Sequence, residues 1–148
     1  MAALIERLSD LPPASLEALV AESEQGGLRF MRRLVEEWAS GANRFDGDGE
    51  ALFAALIDGR VTGVCGLNID PYAAAARVGR VRHLYVLSAY RRLGVGRQLV
   101  GRVIEAARGR FDILRLRTQN PAAARLYEQL GFSRCAGAPD CTHLMDLH

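Results

Sequence analysis

The sequence predicts a mixed α/β fold, with strands and amphipathic helices interleaved around one sheet. Two patterns carry this expectation. Apolar runs of strand length alternate along the chain with stretches whose apolar residues recur at helical spacing. At least one pair of runs meets at Asp58-Gly59, a dipeptide that closes hairpins, so antiparallel pairing must coexist with the crossovers. The length of 148 residues suits one domain spanning 1–148 and is short for two.

The elements follow in order. Residues 2–8 read as a first strand, closed by Ser9, Asp10 and Pro12-Pro13. Leu16, Leu19, Val20 and Ser23 keep helical spacing up to Gly26-Gly27, and Met31, Leu34, Val35 and Trp38 repeat it before Gly41. The turn RFDGDGE lacks the ligand spacing of a calcium loop. ALFAALIDGRVTGVCGLNI reads as a hairpin, and an Ala-rich link over 72–79 leads to a strand at about 80–88. From Gly94, the residues Leu99, Val100, Val103, Ile104 and Ala107 form one helical stripe that Gly109 stops. FDILRLRT is a further strand. NPAAARLYEQLG has Asn120 as N-cap, Pro121 at the first helical position and Gly131 past the end. Residues 132–135 and 142–147 finish as strands.

Composition excludes several chemistries. All 19 basic residues are arginine, so a Walker lysine, a kinase-type ATP lysine, a pyridoxal Schiff base and a lysine nucleophile are all ruled out. Cys65, Cys135 and Cys141 show no metal-ligand spacing, so no metal is expected. No apolar run reaches membrane-spanning length, and MAALIERLSD lacks the basic-then-apolar pattern of a secretion signal. The expected setting is cytoplasmic, away from membranes. Charge is segregated: residues 1–76 carry a net −6, residues 77–117 a net +9 and residues 118–148 a net −1. The basic stretch lacks the periodic face or stacking platform of a nucleic-acid binder, and no nucleic acid partner is expected.

The basic stretch contains the sequence's clearest site. Arg91, Arg92, Leu93, Gly94, Val95 and Gly96 precede a helix, and none is a side-chain capping residue. The helix therefore begins with unpartnered N–H groups, a partial positive charge, bare glycine backbone and arginine neighbours, including Arg97. Such a junction suits a phosphate group. Leu99 stands where a dinucleotide fingerprint needs glycine, so a Rossmann reading fails.

HLYVLSAYRRLGVGRQLV, followed by NPAAARLYEQLGF, resembles the acetyl-CoA-binding core of the GNAT-type N-acetyltransferase superfamily. Arg91, Gly94 and Gly96 match that family's (R/Q)xxGx(G/A) loop, and Asn120, Ala123, Leu126, Tyr127, Glu128, Gly131 and Phe132 match its second segment. The likeness covers residues 80–133 and implies a central mixed sheet with splayed middle strands flanked by helices. It further implies that the amides of 92–97 hold the pyrophosphate of acetyl-CoA. Leu84, Tyr85 and Val86 would run beside the pantetheine arm, one N–H there polarising the thioester carbonyl. Asn120 would contact the cofactor, or serve only as an N-cap. Tyr127 would protonate the departing thiolate, a role open to a phenol of pKa near ~10; otherwise it is a core tyrosine.

Other candidates are weaker. Some relatives that act on protein N-termini carry Glu five residues before the motif Asn, where this chain has Arg115. His83 is a candidate base, on the strand face opposite Leu84 and Val86. Cys141 and His143 could share a face, with a structural role expected. The helices over about 13–40 would border the acceptor, and Glu36, Glu37, Trp38, Asp46, Asp48 and Glu50 would suit a cationic amine. The implied activity is direct acetyl transfer to an amine, first of a small molecule, otherwise of a protein or peptide. A non-catalytic acyl-CoA sensor is the rival reading. Family members often dimerise, though no segment marks an interface.

Overall fold

The run ALFAALI carries no polar residue on either face, and the protein buries it on both. In the computed structural model, which describes residues 3–11, 16–73 and 77–148, this run is β2 (Ala51–Ile57). Phe53, Ala55 and Ile57 enter one hydrophobic cluster, while Leu52 and Ala54 enter a second on the opposite face. Period-two alternation therefore divides a uniformly apolar segment between two cores.

Around it lie β1 (Leu4–Arg7), β3 (Arg60–Ile69), β4 (Val78–Val86), β5 (Ile113–Leu116), β6 (Ser133–Arg134) and β7 (His143–Asp146). They form one seven-stranded sheet in the order β1-β2-β3-β4-β5-β7-β6. Only β4 and β5 pair in parallel; every other neighbour is antiparallel. Asp58 (φ 52°) and Gly59 (φ 76°) close the expected two-residue hairpin between β2 and β3.

Helices cover both faces. α1 (Glu17–Gln25) and α2 (Phe30–Ser40) bury Leu19, Val20, Met31, Leu34 and Trp38 against one. α3 (Val95–Ala107) lays its Leu99, Val100, Val103, Ile104 and Ala107 stripe on the other, beside α4 (Pro121–Gln129). Truncating a fully buried member such as Leu99 to Ala costs about 2–5 kcal/mol in a site of this kind.

Some boundaries differ from expectation. β4 starts at Val78 rather than near residue 80, because the Val78 carbonyl already accepts from the Asp70 amide. It stops at Val86, where the chain enters a 3-10 turn (Ser88–Tyr90). β5 is shorter than FDILRLRT. Met1, Ala2, Pro12, Pro13 and part of the 72–79 link lie outside the described residues.

The feature that makes room for a site is the short parallel pairing. β4 and β5 are in register only at Val78↔Ile113, Gly79↔Leu114 and Arg80↔Arg115, after which the strands separate. Asp70 sits at the closed end of this V, its carboxylate fully buried between Arg80 (3.4 Å) and Arg115 (3.6 Å).

Candidate active site

Along its other edge β4 has a bulge. Val64 pairs with Tyr85 and Gly66 with Arg82, so β4 carries one extra residue at His83-Leu84. His83 adopts φ 60° to accommodate it. The bulge reverses the strand's faces: Val81 belongs to the α3 cluster and Tyr85 to the α1–α2 cluster, although strict alternation would put both on one face. His83 consequently points toward α2, where Phe30 stacks at 6.4 Å and Phe45 meets it edge-on at 6.1 Å. Gly66 allows this arrangement, because a Cβ there would lie 2.5 Å from the Phe45 ring.

Beyond the bulge the edge facing β5 is free. The Leu87 amide donates to Thr62 of β3, so alternation turns the main-chain groups of Val86 to the opposite, open side. The chain then leads into the phosphate-loop candidate. Gly94 is the N-cap of α3, with φ 82° and no side-chain cap, and a Cβ on it would meet nothing within 4 Å. Among the described residues, no hydrogen bond to the protein engages the amides of 92–97. Val95 packs its side chain into the core, Leu93 stands 51% exposed at the loop tip, and Gly96 faces Leu126 of α4. Arg92 has φ 65°, and the Arg97 guanidinium donates to Gln129 Oε1 at 2.9 Å.

Two expected ligand contacts have other work. The Arg91 Nε donates to the Val86 carbonyl at 2.8 Å and Nη2 to Glu22 at 3.4 Å, so this guanidinium anchors the loop from beneath. The Tyr85 hydroxyl donates to Glu22 at 2.7 Å, and its main chain is paired with β3. Leu84 and Val86, by contrast, pack their side chains against the α3 cluster. Glu22 was not legible as special among the acids of α1. It also accepts from the Ser88 amide and hydroxyl. Burial raises its pKa, but the bonds from Tyr85 and Ser88, with the Arg91 charge, outweigh this and lower it.

Across the V, Asn120 Oδ1 accepts from the Ala122 and Ala123 amides, so its N-cap role is complete. Tyr127, about two turns further on, is 5% exposed, packs on Phe132 at 5.5 Å and lines the cleft. Desolvation, with the nearby Cys65, raises its pKa well above the ordinary phenol value. Burial thus holds the proton on this hydroxyl more firmly than on a free tyrosine. His83 is the opposite case. It is 9% exposed, neither ring nitrogen has a hydrogen-bond partner among the described residues, and burial together with the Arg82 charge lowers its pKa to about 3.

The remaining candidates are structural. Cys141 donates to the His143 carbonyl, and the His143 ring bonds Glu128 and Thr142 rather than the thiol. Arg115 is held by Asp70 and Asp140. The acids expected to receive a cationic amine do not reach the cleft: Glu50 binds Asn68 and the Gly47 and Ile69 amides, Asp48 pairs with Arg110, and Glu36, Glu37, Trp38 and Asp46 lie elsewhere. The cleft itself, about 1490 Å³, runs from the α1–α2 junction past β4 to α3 and α4. That exceeds a typical small-ligand pocket of roughly 300–1,000 Å³ and leaves space for two substrates.

A splayed β4–β5 pair, a bulge and a bare helix N-terminus meet in one cleft. The sequence profile of the acetyltransferase (GNAT) family matches residues 13–132, and the chain belongs to that family. Among similar proteins, the N-alpha-acetyltransferase RimI of Mycobacterium tuberculosis is 39% identical over 70 residues, 43% of this chain and 44% of that protein. The N-alpha-acetyltransferase 30 of Xenopus laevis is 30% identical over 131 residues, 85% of this chain and 44% of that protein. The chain thus spans less than half the length of these relatives. A protein of Exiguobacterium sp. 255-15, provisionally assigned as an acetyltransferase, superposes with a TM-score of 0.87 at 31% identity, covering 99% of this chain and 94% of the other. The yncA protein of Salmonella typhimurium, provisionally assigned likewise and solved with its cofactor acetyl-CoA, gives 0.73 at 17% identity, with coverage of 100% and 95%.

Proposed function

We propose that this chain transfers the acetyl group of acetyl-CoA to an amine, by direct attack in a ternary complex. The observation that carries the reading is the continuity of three features in one cleft: the open edge of β4, the unpartnered amides of 92–97 and the hydroxyl-bearing Tyr127. The fit to acetyl-CoA is supported by the Gly94 surface, bare and unobstructed where an anion would approach.

Each residue then has a task. The amides from Arg92 to Arg97 would receive the diphosphate, with the Arg92 and Arg97 guanidinium groups adding charge. The main-chain groups of Leu84 and Val86 would align the pantetheine amides. Since Arg91 occupies the Val86 carbonyl, the Val86 N–H is the freer partner. Asn120 would contribute through its amide nitrogen, its oxygen being used as the cap. Acetyl-CoA supplies a thioester whose carbonyl carbon bonds to the amine nitrogen as the carbon–sulfur bond breaks. Tyr127 would hand its hydroxyl proton to the released thiolate and recover one from solvent, while the amine proton leaves to water. His83, neutral and poorly basic, would line the acceptor side without acting as the base.

The acceptor we favour is the amine of a small molecule. Arg115, locked to Asp70 and Asp140, stands where N-terminal acetylases of the family carry their Glu, which weighs against a protein N-terminus. The names of the two N-alpha-acetyltransferase relatives favour a peptide amine as the second reading.

A thiol-release assay with acetyl-CoA and panels of small amines and peptides tests both. Tyr127→Phe is expected to lower turnover about 10²-fold, the lower range of proton donation, with the acetyl-CoA Kd nearly unchanged. Tight acetyl-CoA binding without turnover of any amine, and a silent Tyr127→Phe, would identify a sensor instead.

A further inference from the structure

The charge of the cleft is the reverse of what the acidic N-terminal third suggested. Among the described residues its lining includes eight arginines and a single carboxylate, Glu22. Glu22 is already consumed by Tyr85, Ser88 and Arg91. Three arginines are engaged as well: Arg80 by Asp70, Arg91 by Glu22 and Val86, and Arg97 by Gln129. Arg33, Arg82, Arg92, Arg117 and Arg125 have no side-chain partner among the described residues.

These five divide by position. Arg92 is in the phosphate loop and Arg125 on α4, beside the proposed seat of the diphosphate. Arg82 precedes the bulge, on the side away from that loop, and Arg33 projects from α2. Both act electrostatically on His83, the buried imidazole whose nitrogens have no partner. Arg117 lines the same cleft just beyond the end of β5. The end of the cleft remote from the phosphate loop is therefore cationic, with no free carboxylate.

Resting on the acetyl-transfer reading above, we infer that the acceptor is an amine carrying an anionic group, held by Arg33 and Arg82 beside His83, and not a polycation. Guanidinium groups pair with carboxylate or phosphate through charge-assisted hydrogen bonds and repel a second ammonium. The same field disfavours the ammonium form of the acceptor, keeping its nitrogen lone pair available for attack. Phe30, stacked on His83, gives the apolar part of such a molecule a wall.

The experiment is a matched series of acceptors assayed by thiol release: phenylalanine, phenylalaninamide, phenethylamine, O-phosphoethanolamine and spermidine, with acetyl-CoA binding measured separately by calorimetry. The anionic acceptors are expected to be used with higher kcat/KM than the neutral and cationic ones. The phenylalanine and phosphoethanolamine arms distinguish carboxylate from phosphate. Arg33→Gln and Arg82→Gln should each raise KM for the anionic acceptor about ten- to a hundredfold, as loss of a charge-assisted contact does, while the acetyl-CoA Kd stays unchanged. Arg33→Glu should shift preference toward spermidine. Wild-type preference for spermidine or phenethylamine, or anionic KM values unmoved by either substitution, would overturn the inference and leave acetyl transfer standing. Bound acetyl-CoA with no acetylation of any amine would overturn both.

Discussion

His83 sits on the β4 bulge between Phe30 and Phe45. Its backbone is in the left-handed region, its ring nitrogens are buried without partners, and two arginines bear on it. Its pKa, lowered from 6.5 to about 3 chiefly by burial, has a consequence for stability. Between those values the unfolded chain binds a proton that the folded one does not, so acid favours unfolding. His83→Phe should therefore flatten the rise of stability from pH 4 to pH 6.5, by up to about 1.4 kcal/mol per pH unit, in denaturant titrations. An identical pH slope in both proteins would contradict the buried, neutral imidazole. Tyr127 makes the complementary case. Burial raises its pKa above the ordinary phenol value and so favours the neutral hydroxyl.

At the scale of elements, the local signals were the legible ones. Asn120-Pro121 and Gly131 bracket α4 because caps act within one turn, and the lack of any side-chain cap before α3 was legible for the same reason. The β4 bulge was not legible, because an extra residue exists only relative to the partner strand, and nothing in HLYV marks it. Strict alternation set His83 opposite Leu84 and Val86 but could not say that Val81 had changed sides. The clasp from α1 was hidden likewise: Glu22 meets Tyr85, Ser88 and Arg91 across more than 60 residues of sequence. This clasp ties α1 to the turn that leads into the loop before α3. Glu22→Gln should cost about 1–2 kcal/mol at pH 7, within the range for bonds to a charged group that is partly exposed. Its Glu22 contribution is present above pH 4.5 and lost as pH falls through the lowered native pKa. The variant should also raise the acetyl-CoA Kd. Equal stability and equal affinity would mean that α1 and the loop are held by packing alone.

For the whole molecule, net charge was a poor guide and its placement a good one. The net +2 of the chain conceals a cleft whose charged lining, among the described residues, is eight arginines and Glu22, while Glu50 and Asp48 of the N-terminal third make their hydrogen bonds and ion pair elsewhere. Sequence counts assign charge to segments; only the fold decides which segments share a surface. The β4–β5 separation is what joins them, letting residues from α1, α2, β4, α3 and α4 face one space. The central claim is that the bare amides at the start of α3 bind the diphosphate of acetyl-CoA in that space. Calorimetric titration of the wild type, Gly94→Ala and Gly94→Glu with acetyl-CoA tests it most directly. Both substitutions impose the same backbone strain at φ 82°, and neither Cβ meets a neighbour, so their difference reports the carboxylate-bearing arm of Glu. The account predicts that Gly94→Glu binds about a hundredfold more weakly than Gly94→Ala, or worse. Equal affinity for the two variants, close to that of the wild type, would contradict it.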